Sequence, residues 1–441
     1  MKLLLIAYYY PPMGGAGVQR SLKFSKYLGE FGVQTVVLAG HDAAYTEDAS
    51  LMAEIPPHVT VHRVEHRALL QRVVAWRARR RGAAPAAAPK VKPVAHTVPS
   101  TRRPLRDAAL AAYASLQFPD DKAAWARRAY ETARGIVRDE GVTLILSSAP
   151  PMSSHALAAR LARDCAVPWV ADYRDLWTDN PAYTAPAWRR ALDRSAERRW
   201  LAGAAGVVTV TPTLQRVLAQ RLGPACPVVM IPNGYDEADF ASVEAAAHDD
   251  GCFRVVHAGT LYGHQSPQPL LAAADALLAR APGLASRLRL RLVGLVGSRF
   301  EPLLAQFAAR HPGVLERSGF VGHRSAVAEM RGADLLLLII GGGAPARGVL
   351  SGKVFEYLRA GPPVLLVGPT DGDAAQLLRD HARGWVADEG DTSAIAAALA
   401  AALDGRVPPL PAGAAPATFE RRALTGQLAA FLQRCVERRR D

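Results

Sequence analysis

Short apolar runs alternate with longer stretches of helical period along most of the chain. The runs at 3–10, 35–38, 61–64, 144–147, 169–171 and 207–210 are rich in Leu, Ile, Val and aromatic residues. Runs of that length read as strands, and unbroken apolar character suits strands buried on both faces. Between them, 21–31, 121–139 and 154–165 carry apolar residues at helical spacing. Strand, helix, strand in repetition is the grammar of a doubly wound parallel sheet. Ile231-Pro-Asn-Gly-Tyr-Asp then marks a turn, and the polar stretch 237–252 reads as a linker. The grammar restarts at 253–258 and continues at 289–293, 334–340 and 364–367. The expected fold class is α/β, with two Rossmann-like doubly wound domains, 1–236 and 253–420. In such sheets ligands bind beyond the carboxyl ends of the strands, and paired halves place the site in the cleft between them.

Composition refines this. At 441 residues, half of them hydrophobic, the chain has material for two cores. Fifty-three basic against 40 acidic residues give a net charge of +13, which calls for an anionic partner. One insertion, about 67–117, concentrates the excess. No acidic residue occurs from Arg67 to Arg106, while Arg72, Arg77, Arg79, Arg80, Arg81, Lys90, Lys92, Arg102 and Arg103 punctuate Ala- and Pro-rich sequence. It reads either as a solvated insertion or as a basic arm for anionic lipid headgroups or a phosphorylated acceptor, at about 1 kcal/mol per basic residue. With Trp76 as its one aromatic and no recognisable module, nucleic acid is not the expected partner.

The four cysteines lie far apart without a CxxC pair, which argues against a zinc site or disulfide framework and fits a reducing compartment. The run 3–10 is too short for a signal or a span, and no run of about 18 apolar residues follows. The expected location is cytoplasmic, with attachment at most to the inner face of the plasma membrane.

The densest chemistry lies at Ser351-Gly-Lys-Val-Phe-Glu-Tyr-Leu-Arg-Ala-Gly. A small-residue loop opens a short helix with Glu356 one turn inside it. Amides and the positive dipole end suit a diphosphate, and a carboxylate suits a ribose diol. Gly14-Gly-Ala-Gly17 follows the first strand and opens a helix. It departs from the dinucleotide fingerprint because the third glycine position is Arg20, so NAD is disfavoured. His155 stands at a helix start beyond a strand end. No Gly-x-Ser-x-Gly elbow surrounds Ser153 or Ser154. Asp172 and Asp175 form either an acid/base pair or an ion-pair network around Arg174. His257-Ala-Gly-Thr-Leu-Tyr-Gly-His264 supplies a second anion-ready loop at Gly259 and Thr260, without Lys or Arg. Gly319-Phe-Val-Gly-His323 offers backbone groups to a nucleotide base.

In this order, the motifs resemble glycosyltransferase family 4, the retaining enzymes of GT-B fold, most nearly the branch with a Lys-x-Phe-Glu-Tyr helix. The resemblance implies a metal-independent hexosyltransferase without cofactor, using a UDP- or GDP-linked sugar. Its acceptor would be a saccharide or lipid-linked hydroxyl in envelope or exopolysaccharide synthesis. Glu356 matches the second glutamate of the family's Glu-x7-Glu motif and would hold the ribose. Amides at Val349, Leu350, Ser351 and Lys353 would face the diphosphate, Val321 the base, and Gly15 and Gly17 the phosphates or sugar from the other domain. His155 would position the sugar. Asp175 is a nucleophile candidate only beside the anomeric carbon. The helix within 421–441 would pack back on the N-terminal domain.

Two positions depart from the family pattern. Gly348 replaces the first glutamate, and the basic pair after the Gly259 strand is absent, leaving Lys353 or Arg347 as the source of positive charge. These departures keep two rivals in view, a nucleotide-sugar epimerase of GT-B fold and a non-catalytic nucleotide-sugar-binding protein.

Overall fold

Two parallel sheets, each wrapped by helices, organise the chain. The computed structural model describes residues 1–42, 45, 47–66, 117–180, 183–248, 250–382, 384–412 and 416–438. Almost all of the basic insertion therefore lies outside the described residues. Two compact units result. The first comprises Met1–Pro232 and Arg422–Asp441, the second Asn233–Arg421.

The first unit holds β1 (Lys2–Ala7), β2 (Gln34–His41), β3 (Thr60–Glu65), β4 (Leu144–Ala149), β5 (Trp169–Tyr173), β6 (Gly206–Thr209) and β7 (Val228–Met230). Their order is β3-β2-β1-β4-β5-β6-β7, all parallel. The chain leaves β1 for one side and returns at β4 on the other, so the order reverses between them. At such a switch point the crossovers diverge and open a crevice. β4 and β5 are buried at every position, including the polar Ser147, Ser148 and Asp172. The covering helices are α1 (Ala16–Tyr27), α2 (Ala123–Asp139), α3 (Met152–Cys165), α4 (Ala187–Leu201) and α5 (Pro212–Leu222). The expected first strand reaches residue 10. In the structure β1 ends at Ala7, and Tyr8 and Tyr10 continue as buried, non-ladder residues.

The second unit holds β8 (Phe253–Ala258), β9 (Leu288–Val293), β10 (Leu315–Gly319), β11 (Leu335–Ile339), β12 (Val364–Val367) and β13 (Gly384–Ala387). Their order is β10-β9-β8-β11-β12-β13, with the switch point between β8 and β11. The helices are α6 (Gln268–Arg280), α7 (Glu301–Arg310), α8 (His323–Arg331), α9 (Lys353–Ala360), α10 (Asp373–His381) and α11 (Thr392–Leu403). The stretch expected as a linker belongs to this unit. Phe240 and Val243 are buried in the core that also holds Phe355 and Tyr357. Two apolar side chains in a polar run are enough to anchor it.

The last helix, α12 (Arg421–Glu437), gives its apolar face to the first unit's core through Leu424, Leu428, Phe431, Leu432 and Cys435. Gly206 on β6 makes room for it. A Cβ there would stand 2.7 Å from Phe431 Cζ and 2.9 Å from Cys435 Sγ. No helix among the described residues is long and apolar enough to cross a membrane.

Candidate functional site

In the second unit the site residues gather at the switch point. β8 and β11 pair through only two residue pairs, Val255 with Leu335 and Val256 with Leu336. Beyond them side chains bridge the splayed strands. The Tyr357 hydroxyl accepts the Ala258 amide at 2.9 Å and lies 3.2 Å from the Leu337 carbonyl as its donor. His257 fills the rest, its Nδ1 3.0 Å from the same carbonyl. That carbonyl is only an acceptor, so Nδ1 carries the proton and Nε2 keeps its lone pair.

Lys353 and Tyr357 stand four residues apart on α9 and share a face. Lys353 Nζ lies 3.2 Å from His257 Nε2. The lysine stem passes over Gly259, whose φ is +121° and whose added Cβ would meet Lys353 Cε at 2.3 Å. Only glycine permits both that backbone and that approach. Burial lowers the Lys353 pKa to about 8, with Glu356 opposing the shift. His257 is pushed well below its ordinary value, first by burial and then by the Lys353 charge, so it is neutral.

Helix α9 begins after Gly352, which offers no side-chain cap to the first amides. The Val354 and Phe355 amides turn back to the Ser351 and Gly352 carbonyls, and the positive end of the dipole makes that end attractive to an anion. Glu356, in the first turn, pairs with His323 Nε2 at 3.0 Å. His323 Nδ1 in turn lies 3.9 Å from Asp239. Burial acts to raise the Glu356 pKa, but the His323 hydrogen bond and the charges of His323, Arg421 and Lys353 hold it below the usual glutamate value. Val321 stands two residues before His323, and Phe320 beside it is 70% exposed. Val349 is exposed, while Leu350 and Ser351 are half-buried on the approach to α9. Thr260 follows Gly259 and is half-buried. Of the two cations proposed to replace the missing basic pair, Arg347 is exposed and bonded to Asp371 at 2.7 Å, whereas Lys353 lies on the Gly259 loop itself.

The first unit places its residues around the ends of β4 and β5 and the start of α1. Gly15, at φ +92°, precedes α1. The Gly17 carbonyl accepts from Arg174 Nη1 at 2.7 Å. Arg174 also donates to Ala149 and Pro150 carbonyls. The partner of Asp172 is Arg20 rather than Arg174. Arg20 Nε and Nη2 reach its carboxylate at 2.8–3.1 Å, and Ser148 Oγ donates to it at 2.9 Å. Both charges are buried, so the pair is a structural brace whose loss leaves an unpaired buried ion. Asp175 is exposed just past β5.

His155 is fully buried at the start of α3, 4.5 Å ring to ring from Tyr173. Ser147 Oγ accepts from Trp169 Nε1 at 2.7 Å and meets His155 Nδ1 at 2.7 Å. On the other side of the ring, Nε2 has no hydrogen-bond partner among the described residues. Burial drops the His155 pKa to about 3, partly offset by Asp172. The ring is therefore neutral and no proton shuttle near neutrality. His257 and His323 were not singled out by sequence. Each stands inside a motif, but only packing shows which side chain it touches.

Residues 91–239 match the family model described as Glycosyltransferase Family 4. No curated protein matches the sequence. Among solved structures, Anabaena HepE in complex with UDP-glucose superposes with a TM-score of 0.57 at 15% identity, covering 99% of each chain. Sucrose-phosphate synthase from Thermosynechococcus elongatus gives 0.58 at 14% identity over 99% of this chain and 97% of that one. An E. coli trehalose-6-phosphate structure bound with UDP-2-fluoro glucose gives 0.60 at 12% identity, covering 99% and 97%. The chain therefore has the GT-B fold, and over residues 91–239 it carries the sequence pattern of glycosyltransferase family 4.

Proposed function

We propose that this chain is a retaining glycosyltransferase that moves a hexosyl unit from a uridine diphosphate sugar to an acceptor hydroxyl. The carrying observation is the start of α9, where Lys353, the positive end of the helix and Glu356 meet at the β8/β11 switch point. On this reading Lys353 and that helix end bind the diphosphate and offset the charge that grows on it as the sugar departs. Glu356, ionised and oriented by His323, accepts from the ribose hydroxyls. Backbone groups beside Val321 meet the base. In the first unit, His155 is read as a neutral positioning group at the start of α3, and Gly15 and Gly17 as positions that let backbone approach a ligand. The choice of uridine over guanosine follows the UDP and UDP-sugar bound in the HepE and E. coli structures.

Retention is read as same-face attack, with the leaving phosphate taking the acceptor proton. The low pKa of His155 is consistent with that and unsuited to general base work at neutral pH. We place the acceptor among saccharide or lipid-linked hydroxyls of envelope or exopolysaccharide synthesis, on the basic run 67–106 alone. The test is calorimetric titration with UDP, GDP and ADP, followed by turnover of UDP-hexoses with prenyl-linked and free saccharides. Binding of UDP over the others, lost in Glu356→Ala, supports the donor site. No binding of any diphosphate refutes it. UDP-sugar interconversion without acceptor would instead indicate an epimerase.

A further inference from the structure

The contact between His257 and Lys353 is built from both sides. His257 is 1% exposed at the end of β8, and its Nδ1–H is committed to the Leu337 carbonyl on β11. That bond fixes both the ring plane and the tautomer, so the lone pair on Nε2 points to Lys353. The β8/β11 ladder stops at Val256 and Leu336, which is what gives the ring its place. On the other side, Gly259 removes the Cβ that would push the lysine stem away. Without a partner at Nε2, an ammonium on four rotatable bonds samples many positions. With one, it is held where β8 and β11 end.

We propose that His257 is a positioning residue for Lys353: the imidazole, locked by Leu337, acts as a fixed neutral acceptor that holds the lysine ammonium charged and in place for the donor diphosphate. This rests on reading Lys353 as the diphosphate ligand. A neutral acceptor suits the task better than a carboxylate. It orients the cation without cancelling the charge that the phosphate must meet. The ionisable groups facing Lys353 are His257 from β8 and Glu356 and Tyr357 from its own helix, while β11 presents the Leu337 carbonyl. Because Nε2 accepts from the charged form, it supports protonation of the lysine against the burial that lowers it.

The experiment uses the full chain with 13Cε-labelled lysine, following the Lys353 resonance through a pH titration, with Lys353→Met for assignment. His257→Asn keeps an N–H for Leu337 and removes the acceptor at Nε2. His257→Gln puts a carbonyl oxygen near the Nε2 position. In either variant the Tyr357 hydroxyl still serves Leu337. The expected result is a Lys353 midpoint that falls from about 8 in the Asn variant and returns in the Gln variant. UDP affinity at about pH 7.5 should weaken on the order of tenfold in the Asn variant and recover in the Gln variant. An unchanged midpoint in a folded Asn variant overturns the positioning role. If Lys353→Met leaves UDP binding intact, the diphosphate role fails, and with it the purpose of the clamp, even where the midpoint moves.

Discussion

His155 makes a pH prediction that can be worked through. Its imidazole is fully buried and titrates near 3 in the folded chain, against an ordinary 6.5 when exposed. As pH falls below about 6.5 the unfolded chain takes up the proton first, so folding is progressively penalised until the pH reaches the folded value. At about pH 5 the unfolded imidazole is mostly protonated and the folded one is not. The difference is RT ln(1 + 10^1.5), about 2 kcal/mol, relative to neutral pH. Replacing His155 with Phe removes the titrating group and keeps a ring against Tyr173. Trp169 Nε1 still has Ser147 Oγ to receive its proton. The assay is guanidinium unfolding at about pH 7.5 and about pH 5, read by tryptophan fluorescence. Six of the seven tryptophans belong to the first unit's span of sequence, so the signal reports mainly on it. His66, also lowered by burial, is present in both proteins and cancels. The wild type should lose about 2 kcal/mol more than His155→Phe between the two pH values. Equal losses would show that the ring is not held neutral in the folded chain.

Other expectations follow from single contacts. Gly259→Ala adds a Cβ at positive φ and displaces Lys353, so about 1–3 kcal/mol of stability should be lost and UDP binding should weaken. In a cycle with Lys353→Met, the UDP effects should be strongly non-additive, and simple additivity would mean the glycine acts elsewhere. Glu356→Gln should weaken UDP binding roughly 10- to 100-fold by calorimetry. Because the Glu356 pKa is held low in the fold, its contribution to stability is present above about pH 4.5 and is lost as pH falls through the folded value. Thermal unfolding of Glu356→Gln should lack that part of the acid limb. Gly206→Val should clash with Phe431 and Cys435 and cost about 1–3 kcal/mol, releasing α12 to proteolysis before the remainder of the first unit. Protection of α12 equal to wild type would show that the helix docks without needing the glycine.

Much of this protein is written locally. Buried parallel strands are mostly apolar runs, so β1 and β11 announce themselves, and β4 and β8 do so despite Ser147, Ser148, Arg254 and His257. Edge strands do not, because they bury less: β10 reads Leu-Glu-Arg-Ser-Gly and is partly exposed along its length. The start of α9 was legible for the same local reason, since small residues, a helix and a carboxylate one turn in define an anion-ready end from neighbours in sequence. What sequence left open were pairings between residues far apart in the chain. Asp172 was weighed with Arg174, two residues away, yet its partner is Arg20, 152 residues distant. Lys353 and Arg347 were equal candidates until folding set one over Gly259 and the other against Asp371. His155 showed its place at a strand end, but its neutrality depends on the desolvation that only packing supplies. Period and composition fix what each segment prefers, whereas charge partners, tautomers and burial depend on which strands the sheet brings together, and that is decided by the tertiary structure alone.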